Sequence, residues 1–490
     1  MEGASRMMKK QKIRLGWAGV DVTPSKKTTL YGQFYTRISE GVHDPVTATA
    51  LALESADGRQ RGIMISVDAI GISDFVRGLF DRLVRQRLPD VPPECIMINA
   101  THTHTAPTQP FVFVTQKVPR RDVVTPEAYG RFLARQLVKV AVQAWKKREF
   151  GGVSWGCGQA VVGYNRRASY FDGTSIMYGK ADDPTFSHIE GHEDHGVNFL
   201  FTYDPAGKLT GMVVNLACPS QCTEHAMVVS ADFWHDVREE LRRQWGAGLY
   251  VMPQCSAAGD QSPHWMLNRR AEERMLALQG LMADSSRNSA CWAQRKVIAR
   301  RVADAAAEVL PAVAQDVRDK VEFQSLCEQV AAPRRRMTPA DVRAGRERVG
   351  FFKSQAAEFK KQGCDPFSPD YSSCLGQLFR NQYALDIHEA QAAGLELTLP
   401  VMVCAFRIGD VAFVSNRFEY MVDYGQRIKA RSPALQTFVV QLAGAGTYLA
   451  TARAERAGGY GAWFSSTWVG APGGQLIVET SLKLIQRLFA

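Results

Sequence analysis

Residues 95–107 read Cys-Ile-Met-Ile-Asn-Ala-Thr-His-Thr-His-Thr-Ala-Pro, an apolar run that stops at a His-x-His pair. On an extended strand alternate side chains share a face, which would put His102 and His104 roughly 7 Å apart in one space. Such a pair suits one metal ligand and one general base. The alternative is two strand-end histidines satisfied by hydrogen bonds. Similar polar clusters follow other apolar runs: Cys218 to His225, Gln254 to His264, Asn416 to Glu419, and a Gly-rich stretch leading to Tyr448 and Tyr460. Open α/β sheets bind ligands beyond the carboxyl ends of their strands. These clusters are therefore expected to converge with His-x-His on one site. His188, His192 and His195 form a second histidine group, whose reading as another metal centre is the less expected one. Asp21 and Asp68, after strand-like runs, are expected to hold loops.

The elements that must position these groups are legible from periodicity. Apolar runs predict strands over Arg61 to Val67, Cys95 to Ala100, Val153 to Cys157, Val197 to Tyr203, Gly211 to Ala217 and Leu249 to Pro253. Spacing near 3.6 predicts helices over Asp74 to Arg87, Pro126 to Lys147 and Asp232 to Trp245. Residues 265 to about 393 are charged and poor in β-branched runs, with an amphipathic stripe at Val302, Ala305, Ala306, Val309, Leu310 and Val313. Pro366 to Ser373 reads as a loop. Strands return over Pro400 to Ile408, Val411 to Ser415 and Phe438 to Leu442, and a helix over Gly474 to Phe489 closes the chain. The fold class expected is α/β, a mixed β-sheet core flanked by helices. Residues 1–264 and 394–490 would form one catalytic body, with 265–393 a mainly helical insertion or cap.

Composition narrows the class. The chain has 490 residues, 46% hydrophobic and 22% charged, as ordinary globular proteins do. No segment approaches the roughly 20 apolar residues of a membrane span. The basic stretch Met1 to Arg14 lacks the apolar core of a signal peptide. A cytoplasmic location is expected, or a secreted or periplasmic one if a signal has been removed. Ten cysteines without a Cys-x-x-Cys pair read as reduced thiols, Cys95, Cys218 and Cys404 lying in apolar runs. The net charge of +10 gathers in the second half, at Arg334-Arg335-Arg336 and Lys360-Lys361. No nucleic-acid motif accompanies it, so a solvated helical face is expected and no nucleic-acid partner.

THTHTAP, with YNRR at 164–167, AAGDQSPH at 257–264, RFEYMVDYGQRI at 417–428 and GTYLAT at 446–451, resembles the catalytic domain of the neutral (non-lysosomal) ceramidase family, as a distant member. The resemblance runs from about Gly16 onward, and the family's additional C-terminal β-domain is not expected here. It implies a zinc ion, Zn2+, on His102, Glu419 and Tyr448. The family's second ligand histidine falls where this chain reads Leu-Ala-Cys-Pro-Ser, which puts Cys218 in its place; Glu224 or His225 are the substitutes otherwise, or the metal site is altered. A thiolate is a good zinc ligand. The resemblance further implies that Ser262 is needed for activity and that Arg166 and Tyr460 face the scissile carbonyl, with His104 as general base. The function implied is zinc-dependent hydrolysis of an N-acyl amide bond in a small, polar or N-acylated substrate. The alternatives are a zinc hydrolase of another bond, ester or glycosidic, and a non-catalytic binding protein. The sequence leaves oligomeric state open.

Overall fold

The computed structural model describes residues 10–112 and 121–490; residues 1–9 of the basic N-terminal stretch lie outside the described residues. The main sheet runs in spatial order Tyr250–Cys255, Leu209–Leu216, Gly196–Tyr203, Glu149–Gln159, Gln11–Asp21, Thr47–Ser55, Arg61–Val67, Ile96–Ala100. Its pairings are antiparallel except at the two edges, where Leu209–Leu216 and Tyr250–Cys255 run parallel, as do Arg61–Val67 and Ile96–Ala100. A second sheet orders Phe323–Pro333, Thr398–Ile408, Val411–Ser415 and Gln436–Val440, and its last pair is parallel.

Alternation along the strands sets the layers. Ile13, Leu15 and Trp17, with Leu51, Leu53, Met64 and Met97, pack against Phe323, Phe406, Phe413 and Phe438 of the second sheet. The residues between them, Ala18, Ala48, Ala50, Ala52, Ile63 and Ile65, face the helices Asp74–Arg87 and Pro126–Lys146. Small side chains there let a helix lie close: a Cβ at Gly16 would sit 2.2 Å from the Ala144 carbonyl oxygen. The helices Phe233–Trp245 and Arg287–Val313 cover the other end of the main sheet, through Phe199, Phe201, Val302 and Ala306. The closing helix Ala471–Phe489 covers the second sheet, through Ile477, Leu484 and Val403. The result is a mixed α/β architecture of two face-packed sheets with helices outside.

Several sequence expectations need correction. Gln11–Asp21 and Thr47–Ser55 are long central strands that the apolar-run reading passes over, because Gly and Ala take the outward positions. Within residues 265–393 lies the strand Phe323–Pro333 as well as helices. Pro366 to Ser373 is a loop only to Ser368; Pro369 begins a helix to Ala392, its missing N–H costing nothing in the first turn. Cys404 is not a free thiol: it lies directly opposite Cys327 on the antiparallel pair and is disulfide-bonded to it. Arg335 is not on a solvated helical face, since its guanidinium donates to the Ala462 carbonyl and to Thr467 Oγ1.

Candidate active site

The three parallel strand pairs of the two large sheets point their carboxyl ends at one place. The Gln441 N–H donates to the Cys255 carbonyl at 3.0 Å, the Ala100 N–H to Leu442 at 3.3 Å, and the Ser220 N–H to Thr101 at 3.3 Å. These bonds fasten the loops after Ile96–Ala100, Leu209–Leu216, Tyr250–Cys255 and Gln436–Val440 to one another. Beyond them opens a cavity of about 640 Å³, whose wall includes His102, His104, Arg166, Glu419, Tyr448 and Tyr460.

His102 and His104 do not lie on an extended strand. The strand ends at Ala100, and His102 has φ of 64°, a conformation that costs a non-glycine residue on the order of 1–3 kcal/mol. The turn brings the two rings to 5.0 Å between centroids, edge to face. His102 Nδ1 lies 2.6 Å from the Ile70 carbonyl, which requires a proton on Nδ1 and leaves the Nε2 lone pair free. That lone pair looks toward Glu419 Oε2 at 3.5 Å. Glu419 and Tyr448 are direct partners on a two-rung parallel ladder, and the Tyr448 hydroxyl is hydrogen-bonded to Glu419. Burial, reinforced by the Glu419 charge, pushes the Tyr448 phenol well above its ordinary range. An imidazole nitrogen, a carboxylate and a phenol oxygen thus meet at one point, and these are the donors that could hold a cation.

His104 has different company. Its Nε2 accepts from the Gln221 amide at 2.6 Å, and Gln221 Oε1 accepts from Arg166 at 3.1 Å, which fixes the amide's orientation. His104 Nδ1 faces Glu224 Oε2 at 3.4 Å. Burial above all, then the neighbouring His102, lowers its pKa well below 6.5, so this imidazole is neutral. Gly32, at φ of 119°, lies flat on the ring; a Cβ there would come within 2.5 Å of His104 Cγ. Glu224 also meets His264 Nε2 at 3.1 Å and His225 Nε2 at 3.7 Å. Burial would raise its pKa, but the hydrogen bond from His264 and the electrostatic influence of the imidazoles gathered on it, His104, His264 and His225, bring it down to about 2.

Arg166 joins the two sides. Its guanidinium donates to Tyr178 at 2.9 Å, to Gln221, to the Gly259 carbonyl at 3.0 Å and to the Tyr448 hydroxyl at 3.4 Å. Tyr460 stacks edge-on against Tyr448 at 5.3 Å and against Phe34 at 5.1 Å. Ser262 is fully buried one hydroxyl behind the wall: its Oγ accepts from Tyr178 at 3.0 Å and from the His264 N–H at 3.1 Å.

Cys218 is not brought to the cavity. Its thiol sits in the apolar cluster with Phe199 and Trp234 and donates to the Val162 and Pro219 carbonyls at 3.7 and 3.4 Å. Burial pushes its pKa well above the ordinary thiol value, which disfavours a thiolate. Among the described residues, no group of three or more His, Cys, Asp and Glu could hold a metal ion. The trio above contains two such residues, and Tyr448 is its third donor. Of the second histidine group, His195 pairs with Glu193 at 3.1 Å and exposed His188 bonds Ser187. Asp68 holds its loop as expected, through two 2.9 Å bonds from Arg238.

Comparison with solved structures gives the fold. A neutral ceramidase from Pseudomonas aeruginosa superposes with a TM-score of 0.69 at 16% identity, over 97% of this chain and 75% of that one. The fold is that of neutral ceramidase. A second solved structure, a ceramidase complexed with C2, gives a TM-score of 0.66 at 17% identity, over 97% and 76%. No protein-family model and no curated protein matches the chain. Among the cavity residues of this ceramidase-like fold that escaped the reading from sequence are Gln221, His264 and Tyr178. Gln221 and His264 stand inside motifs already singled out there, while Tyr178 carries no local signal.

Proposed function

We propose that this chain is a zinc-dependent hydrolase of N-acyl bonds. The observation that carries the reading is the convergence of His102 Nε2, Glu419 and Tyr448 on one wall of a cavity whose other wall presents Arg166. The donor set fits zinc: an imidazole oriented by a backbone carbonyl, a carboxylate and a phenol oxygen. Cys218 does not fit as a fourth ligand, and Glu224 is committed to imidazoles. Zinc bound there would supply a Lewis acid and lower the pKa of water toward about 7.

The chain's own residues do the rest. Arg166 and Tyr460 offer N–H and O–H donors to the oxygen that gains charge as the acyl carbon becomes tetrahedral. Arg166 cannot rotate away, because four partners hold its guanidinium. Ser262 assists through Tyr178, whose hydroxyl it fixes. The aromatic side chains Tyr31, Phe34, Phe111 and Trp468 line the same cavity and give apolar contact to an acyl group, while Arg287 and Arg380 give it polar rims. Those two arginines support the second reading, a zinc hydrolase acting on an ester or a carbohydrate-like substrate.

The test is a panel of short N-acyl amides, N-acyl amino sugars, esters and a fluorescent ceramide, run beside elemental analysis of the purified protein. One zinc per chain with amide turnover is the expected result. Zinc-loaded protein that cleaves only esters moves the assignment to the second reading. Protein below half an equivalent after zinc-supplemented expression, and inert across the panel, overturns both.

A further inference from the structure

N-acyl hydrolysis needs a base for the attacking water and an acid for the departing nitrogen. His104 is poorly placed for both, because Gln221 occupies its Nε2 and its Nδ1 faces Glu224. The same carboxylate has a second imidazole on it. His264 lines the cavity, and its Nε2 stands 3.1 Å from Glu224 Oε1. Its backbone N–H is tied to Ser262 Oγ, so the residue is anchored at both ends. Glu224 is an acceptor, so the His264 proton belongs on Nε2. The lone pair is then on Nδ1, which makes no hydrogen bond among the described residues. A carboxylate that fixes the tautomer of an imidazole whose other nitrogen is free is the arrangement used by acid–base dyads.

We infer that His264, oriented by Glu224, carries the proton between water and the leaving nitrogen. This rests on the N-acyl hydrolase reading. As the water oxygen bonds to the acyl carbon, His264 Nδ1 takes one of its protons and the carbonyl electron pair moves onto oxygen. The imidazolium, paired with Glu224, then returns that proton to the nitrogen as the carbon–nitrogen bond breaks. The products are a carboxylic acid and an amine. The groups that set the dyad's charge are Glu224 and the two imidazoles sharing it, His104 at 3.4 Å and His225 at 3.7 Å. The Tyr178 ring lies 6.0 Å from the His264 ring, and Arg287 stands on the same cavity wall.

Two measurements on the zinc-loaded chain decide the matter. In ¹⁵N-histidine NMR, with the His264 signal assigned by its loss in His264→Gln, the expected state is protonated at Nε2 and unprotonated at Nδ1. An Nδ1-protonated His264 overturns the inference, and this readout needs no substrate, so it stands even if the hydrolase reading fails. In turnover, His264→Ala is expected to lose about 10²–10⁴-fold in kcat with KM within a few-fold, and added imidazole should restore part of it. Glu224→Gln should keep zinc, lower kcat less and shift the limb of the pH–rate profile assigned to His264. A His264→Ala enzyme within three-fold of the parent, or a loss that imidazole does not rescue while circular dichroism and zinc content are intact, overturns the inference.

Discussion

His102 and His104 are two residues apart with rings 5.0 Å apart, and they have been given opposite work. His102 spends its N–H on the Ile70 carbonyl and turns a lone pair to Glu419 and Tyr448. His104 spends its lone pair on Gln221 and turns to Glu224. One side of the cavity is therefore a set of electron-pair donors suited to a cation. The other is a hydrogen-bond network around a buried carboxylate. What separates them is which ring nitrogen the surrounding backbone and amides claim, a detail residue type alone does not carry.

The largest expected effect strikes the cation side. His102→Ala or Glu419→Ala should reduce zinc well below half an equivalent and take turnover to background. Full zinc occupancy in the double variant would show that the metal lies elsewhere. Arg166→Met, which severs the link between the sides, should cost about 2.7–4 kcal/mol of barrier, a roughly 10²–10³-fold fall in kcat, with zinc retained. His104→Gln should also retain zinc and fold; zinc loss there would erase the distinction between the two histidines.

Ser262→Ala is expected to cost about ten-fold or less, because its Oγ already accepts from Tyr178 and the His264 N–H. The double variant with Tyr178→Phe should lose less than the two single losses combined, since the two hydroxyls share one hydrogen bond. A loss of several orders of magnitude from Ser262→Ala alone would identify the serine as nucleophile instead. Glu224 gives a pH test. Its folded pKa, about 2 against an ordinary 4.5, is depressed, so its contribution is complete above pH 4.5 and lost as pH falls toward 2. The denaturation midpoint of Glu224→Gln should fall less than that of the parent over that window. The smallest functional effect belongs to Cys218→Ser: zinc and turnover unchanged, stability lower by about 1–3 kcal/mol for burying a hydroxyl in an apolar cluster. Zinc loss there would restore Cys218 as a ligand.

The strands rich in Val, Ile and Phe and the amphipathic helices were readable because burial dictates their pattern; Arg61–Val67, Val411–Ser415 and Asp74–Arg87 coincide with the predicted spans. Gln11–Asp21 and Thr47–Ser55 were not. Their outward positions are Gly and Ala for the sake of close helix approach, and such residues carry little strand signal. At the site, types and motifs gave the participants, but not their orientation. Cys218 looked like a ligand because the residues around it match, yet its thiol points into the core. His264 adjoins Ser262 in the quoted motif, but only the fold sets it beside Glu224.

The pairing of Glu419 with Tyr448 has a consequence in time as well as in space. His102 leaves the ribosome more than three hundred residues before Tyr448. The cation-side donor set cannot exist until that two-rung ladder has closed in the right register, since a slip of one residue would turn one of the two side chains to the opposite face from its partner. A nascent chain thus lacks the set through most of its synthesis. Formation of this donor set would be among the last non-local steps of folding, the kind that topology makes slow.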